Sequence, residues 1–284
     1  MNRNELLKKI TQKKEFSQLP KKDIEMAFAE FDKEQYGDEE KVKLTRDLLR
    51  KVFSAFASQK ILSLKDKDEG WVLRKHLSTR ERLPYYKELY EKLLKGFEGG
   101  VTIFDLGAGV NGFSYEYMIE SEVRSEPVPS RPSATSSPTK DSLVKPRREI
   151  NYIGIEAMKQ LVDLMNHHFK TRGLENCTAL HLSLFELEKI KQVISKQRGN
   201  KVVFLFKTLD SLEMLKRDYS KKLLLEIVPL VDRVVVSFAT RSLVKKTRFK
   251  VKRKWIIDFI KENFEVLDDF ELGGERYVVF SSKK

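Results

Sequence analysis

The sequence has little sulfur chemistry to offer. A single cysteine, Cys177, among 284 residues excludes an internal disulfide and any multi-cysteine metal site. With four histidines (His76, His167, His168 and His181) spread along the chain, no metal is expected. No apolar run reaches the roughly 18 residues that a membrane span needs. The opening, MNRNELLKKI, has no hydrophobic signal region, so a cytoplasmic protein without a membrane partner is expected. Proline is scarce except in one place: five of the eight prolines, with six serines, fall in residues 122–148, a 27-residue stretch with almost nothing to bury. It reads as a disordered surface insertion.

Charge of one sign is in excess, with 55 Lys and Arg against 42 Asp and Glu, a net +13. A basic balance suits a polyphosphate partner, because each neutralised phosphate releases condensed counterions. A charge-rich soluble protein without nucleic acid gives the same total. Hydrophobic residues make up 40%, enough for a real core.

Residues 1–96 read as helical, with apolar residues at three-and-four spacing in NELLKKI, DIEMAFAEF and LTRDLLRKVFSAFA. From Val101 the texture changes. Short apolar runs (VTIFDL, NYIGIE, CTALHL, KVVFLF, RVVVSF, FEVLDDF, RYVVFS) alternate with amphipathic segments, which predicts a mostly parallel sheet of seven strands covered on both faces, an α/β fold. The last two runs are separated only by ELGGE, so an antiparallel edge pair should close the sheet. The chain divides into 1–96 and 97–284 on this reading, and no internal repeat is present.

The stretch IFDLGAGVNG (103–112) ends a predicted strand in an acid followed by three glycines. Glycines there let the backbone approach a ligand that a Cβ would repel. Asp105, Gly107 and Gly109 fit D-x-G-x-G, the opening of an S-adenosylmethionine (SAM) site, whereas dinucleotide folds more often carry an apolar residue at the acid's place. A second acid should end the next strand and hold ribose hydroxyls. Glu156 stands there, 49 residues beyond Gly107, and removing the 27-residue insertion leaves about 20. SAM, a dinucleotide and a plain tight turn with a solvated Glu all remain open at this point.

Three further stretches carry chemistry. In HLSTRERL (76–83), Ser78 and Glu81 have capping-box spacing, but Pro84 would then fall where a helical N–H is needed; alternatively its arginines pair with a ligand carboxylate. In VVFLFKTLDSLE (202–213), Lys207 follows the fourth strand at the edge where α/β ligands bind. The Asn/Asp-Pro-Pro-aromatic stretch of exocyclic-amine methylases is missing there. A ring nitrogen such as guanine N7 presents a free lone pair and needs alignment rather than a base. In RSLVKKTRFKVKRK (241–254), eight of fourteen residues are basic and none is acidic. Lys245, Lys246, Arg248, Lys250, Lys252, Arg253 and Lys254 read as a phosphate-gripping RNA loop, with a solvated charge run as the alternative. Cys177 reads as core, and His167 and His168 as surface positions on an amphipathic helix.

Taken in order, HLSTRERL, IFDLGAGVNGF, FLFKTLDSLE and SFATRSLVKK resemble the aminoglycoside-resistance 16S rRNA (guanine-N7) methyltransferases over roughly residues 40–284. The resemblance implies a helical N-terminal RNA-docking domain before a Rossmann-like, SAM-dependent methyltransferase domain. It implies that His76, Leu77 and Ser78 line the methionine side of the cofactor and that Arg82 holds its carboxylate. Gly107 would meet the cofactor backbone, Glu156 the ribose, Ser183 and Leu184 the adenine, and Leu205 would pack beneath. Lys207 and Arg241 would face the target nucleotide. Against the family pattern, the proline–serine insertion is extra, Glu156 replaces a more usual Asp, SFATR lacks a proline, and Arg241 stands where Lys is common. The expectation is a monomeric methyltransferase of ribosomal RNA in the small subunit. Methylation of another RNA, such as tRNA, and a non-catalytic RNA-binding or ribosome-assembly role are the alternatives.

Overall fold

The structure, a computed structural model, describes residues 1–53, 61, 67–121, 149–240 and 253–283, with the backbone alone at 54. The proline–serine stretch and most of the basic run, including Arg241, Lys245, Lys246, Arg248, Lys250 and Lys252, lie outside the described residues.

Before the sheet the described residues form six α-helices: α1 (Arg3–Thr11), α2 (Lys21–Ala29), α3 (Asp38–Leu49), α4 (Glu69–Lys75), α5 (Leu77–Arg82) and α6 (Tyr86–Leu94). Asn2 opens α1 with a capping box to Glu5, and α3 runs on into a π-helical turn, Arg50–Ser54. Then β1 (Val101–Leu106), α7 (Tyr115–Glu120), β2 (Ile150–Glu156), α8 (Lys159–Thr171), β3 (Cys177–His181), α9 (Leu187–Ser195) and β4 (Asn200–Phe206) alternate. The chain finishes with α10 (Leu209–Leu215), α11 (Tyr219–Ile227), β5 (Arg233–Ala239), α12 (Lys254–Asn263), β6 (Phe264–Leu272) and β7 (Glu275–Ser282). No helix among the described residues is long and apolar enough to cross a membrane.

All seven expected strands form one sheet in the order β3-β2-β1-β4-β5-β7-β6. The first five are parallel, and β7 runs antiparallel between β5 and β6. Strand order reverses between β1 and β4, so the carboxyl ends of β1, β2 and β4 surround a crevice, the place where open α/β sheets bind ligands.

The near-continuous apolar strands follow from burial on both faces. Ile153, Ile155, Val203 and Leu205 pack with Leu6, Ile10 and Phe28 of the first helices and with α9–α12. Their alternates Tyr152, Val202 and Phe204 pack with α4, α6 and α8 through Val72, Leu89, Tyr90 and Met165. The helices before β1 thus cover both faces of the sheet.

Cys177 is buried in β3, where burial pushes its thiol up to about 12, so it is an inert core residue. His168 corrects the surface reading: its ring is buried and stacks on Phe113 with centroids 4.1 Å apart. It sits beside Phe169 on the apolar stripe of α8, which is wide enough to draw it in.

Candidate functional site

A cleft partly open to solvent lies over the carboxyl ends of β1, β2 and β4. Among the expected cofactor residues, His76, Ser78, Gly107, Gly109, Glu156 and Leu184 line it, as does Lys207. Met158, Leu161, Phe206 and Leu212 add apolar walls, a composition suited to a ligand with one flat apolar part and a few polar groups.

The glycine loop divides its labour. Gly107 has φ +77°, and a Cβ there would lie 2.9 Å from Thr208 Cγ2 and Oγ1. The third glycine, Gly112, is needed for packing: a Cβ would come 2.6 Å from Phe169 Cζ of α8. The Gly109 N–H donates to Glu156 Oε2 at 2.8 Å, while the Met158 N–H donates to Oε1 at 2.9 Å. Burial pushes the Glu156 pKa up, and these backbone donors work against it. The second acid therefore ends β2 where expected, with its carboxylate fixed against the loop.

The other expected residues stand behind the wall rather than on it. Asp105 is buried and accepts from Asn111 Nδ2 (2.7 Å) and from the Tyr152 hydroxyl (2.9 Å). Burial raises its pKa. Leu205 is core under the cleft; Ser183 is buried, its Oγ accepting from the Phe185 N–H at 3.0 Å. Leu77 opens α5 and does not line the cleft.

Arg82 is the hub of this second layer. Its Nη1 donates to Asn111 Oδ1 at 3.0 Å, its Nη2 to Ser78 Oγ, and its Nε to Glu275 Oε2 at 3.2 Å. The guanidinium lies 4.8 Å from the Phe206 ring centroid. No capping box forms in HLSTRERL, because α5 starts at Leu77 with His76 as its N-cap. Ser78 is instead tied to Arg82, and Glu81 pairs with Lys207 at 2.5 Å. Lys207 is one of three non-glycine residues with positive φ (59°) among the described residues. Its N–H donates to Ser237 O at 3.2 Å and to Ser237 Oγ at 3.1 Å, which holds the turn after β4 in that sparsely populated conformation. His76 is buried, and burial followed by the charges of Arg82 and Lys207 lowers its pKa to about 3, so it is neutral.

Of the basic run, two residues are described. Arg253 pairs with Asp210 (Nη2 to Oδ2, 2.8 Å) and donates from Nη1 to Ala239 O at 3.0 Å; Lys254 is exposed at the start of α12.

Asp23, Asn111, Thr208 and Glu275 belong to the site and escaped the sequence reading. Asn111 lies inside the quoted glycine stretch, but nothing in its spacing marks it. Glu275 follows the double glycine of the ELGGE turn, an acid buried at the head of β7, and nothing in its spacing marks it.

No family model matches the chain, and no curated protein matches it in sequence. Solved structures do. The 16S rRNA methylase RmtB is 18% identical with a TM-score of 0.71, over 100% of this chain and 99% of that one. The 16S rRNA methyltransferase RmtF, solved in complex with S-adenosyl-L-homocysteine, is 20% identical with a TM-score of 0.71, over 100% of both chains. An rRNA methylase from Escherichia coli is 18% identical with the same TM-score, 0.71, over 99% and 100%. The likeness takes in the first helices, which the motif resemblance left weak. From the N-terminal helices to the antiparallel end of the sheet, the chain has the Rossmann-like α/β fold of these 16S rRNA methylases.

Proposed function

We propose that the chain is a SAM-dependent methyltransferase of ribosomal RNA, acting on N7 of a guanine in the decoding region of the small subunit. The observation that carries this reading is the cleft, where a glycine cradle at the end of β1 faces a carboxylate at the end of β2. The residues fit the cofactor. Gly107 turns the chain at the cleft where Thr208 leaves no room for a Cβ, Glu156 has an acceptor for ribose hydroxyls, and Leu184 and Met158 offer apolar faces to an adenine.

When bound, SAM supplies an electrophilic methyl on a sulfonium. The protein's part is binding and alignment. His76 and Ser78 shape the methionine end, with Arg82 behind them balancing the ligand carboxylate. Neutral His76 adds no positive charge beside the sulfonium. Guanine N7 carries its own lone pair, so no side chain has to remove a proton, and positioning supplies the rate. Lys207, at the rim, turns to the target nucleotide by exchanging the partly exposed Glu81 for RNA while Glu275 stays; Arg241 joins it. Residues 1–96 act as the RNA-docking domain and 97–284 as the methyltransferase domain. The basic run from Lys245 to Lys254 grips phosphates.

Methyl transfer from labelled SAM to intact small subunits, naked rRNA and tRNA tests this, followed by borohydride–aniline scission, which cuts at N7-methylguanine. Label in small subunits with one scission site is expected. Label without scission discards N7, label in tRNA alone discards the ribosomal substrate, and SAM binding without any label leaves a binding role.

A further inference from the structure

Asp23 is a charged group of the cleft to which the proposed reaction gives no part. It sits in the first turn of α2, only 2% exposed, and lines the cleft. Its Oδ2 has no hydrogen-bond partner among the described residues. A buried acceptor left unpaired is unfavourable, the more so if charged, so its partner is expected to arrive with a ligand.

The surroundings define that partner. Ser183 before α9, Glu156 at the end of β2 and Glu186 before α9 are the groups that act on its carboxyl, while the Tyr219 hydroxyl of α11 donates to the Leu184 carbonyl. None of these supplies a positive charge. Burial first, then the two glutamates, raises the Asp23 pKa to about 7 despite Ser183. The site therefore accepts a neutral N–H donor next to Ser183 and Leu184.

We propose that Asp23 reads the exocyclic amine of the cofactor's adenine ring, so that a helix outside the sheet domain determines the base that the cleft takes. This inference rests on the SAM reading of the cleft. Helix α2 is part of the segment assigned to RNA docking, so the same helix contacts the cofactor and the span that meets RNA. Accepting the amine favours the ionised carboxylate. Binding therefore expels the proton that Asp23 holds below about pH 7, and affinity rises as pH rises through that value.

The test is calorimetric binding of S-adenosylhomocysteine and of its analogue lacking the 6-amino group, to the full chain and two variants. The wild type should prefer the amine by about tenfold or more, because the analogue leaves Asp23 unpaired. Asp23→Ala should bring the two ligands to within about twofold. Asp23→Asn should keep a preference, since its carboxamide oxygen still accepts, and should lose the proton release that titrations at pH 6.5 in two buffers detect for the wild type. An unchanged ratio in Asp23→Ala overturns the assignment. If that variant does not fold, wild-type binding without proton release does so equally. A wild type that binds neither ligand fails earlier and removes the SAM reading itself.

Discussion

Glu275 stands between two cations: its Oε2 lies 3.2 Å from Arg82 Nε and 3.1 Å from Lys207 Nζ. The three side chains are 1%, 4% and 9% exposed, so the charges meet almost without water. Ser237 donates to the other carboxylate oxygen. Through Arg82 the pair reaches Asn111 and then Asp105, so one polar chain links the head of β7 to the glycine loop and to the residue that turns the chain after β4. Two strand ends and α5 thus share one set of charges on this side of the cleft.

Removing the centre of that chain should be costly. Glu275→Gln leaves Arg82 buried without its counter-charge and Lys207 with Glu81 alone, and a loss of about 3–5 kcal/mol in urea unfolding is expected. The pH dependence has a definite sign. Burial works to raise the Glu275 pKa, but Arg82 and Lys207 hold it below the usual value of 4.5. Its stabilising effect is therefore complete above about pH 4.5 and lost as pH falls through the lower native value. The acid limb of the stability curve should be flatter in Glu275→Gln.

The cradle makes a separate prediction. Gly107→Arg demands a side chain where φ is +77° and where Thr208 is 2.9 Å from the new Cβ. Binding of S-adenosylhomocysteine should fall by about a hundredfold or more while far-UV circular dichroism stays native. Native-like binding in this variant would show that the ligand does not touch the β1 turn.

Much of this was legible in the sequence because it follows from short-range rules. Seven apolar runs separated by amphipathic segments have one economical packing, and the ELGGE turn marks an antiparallel pair. The placement of Asp105, Gly107 and Glu156 at the ends of β1 and β2 could be read because each closes an apolar run. What escaped was set by contacts distant in sequence. Asp23 and Glu156 are brought to one cleft by the docking of α2, and Arg82 meets Glu275 across 193 positions. His168 was misread for the same reason: its partner Phe113 comes from the other side of the insertion.

His76 and Asp23 should tilt stability in opposite directions. The His76 pKa falls to about 3 by burial and by Arg82 and Lys207, so between about pH 3 and 6.5 the unfolded chain binds a proton that the native chain refuses. Its contribution rises with pH, by at most about 1.4 kcal/mol per unit. The Asp23 pKa is raised to about 7, so the native chain holds a proton that the unfolded chain has released, and this contribution falls as pH rises. Urea midpoints at pH 5 and 6.5 should show a shallower rise with pH in His76→Gln and a steeper one in Asp23→Asn.

The basic run divides into positions with different expected effects. Arg253 is tied to Asp210 at 2.8 Å and to the carbonyl of Ala239, so Arg253→Ala should loosen the start of α12 and lower thermal stability. Lys245, Lys246 and Lys250 are assigned to RNA phosphates, and replacing all three with Gln should leave the melting temperature unchanged. The salt dependence of RNA binding should respond instead. Each lost phosphate contact lowers the slope of log K against log salt by about 0.7–0.9, so the triple variant should be flatter by roughly 2–3. An unchanged slope would remove these lysines from the RNA interface and leave docking to the N-terminal helices.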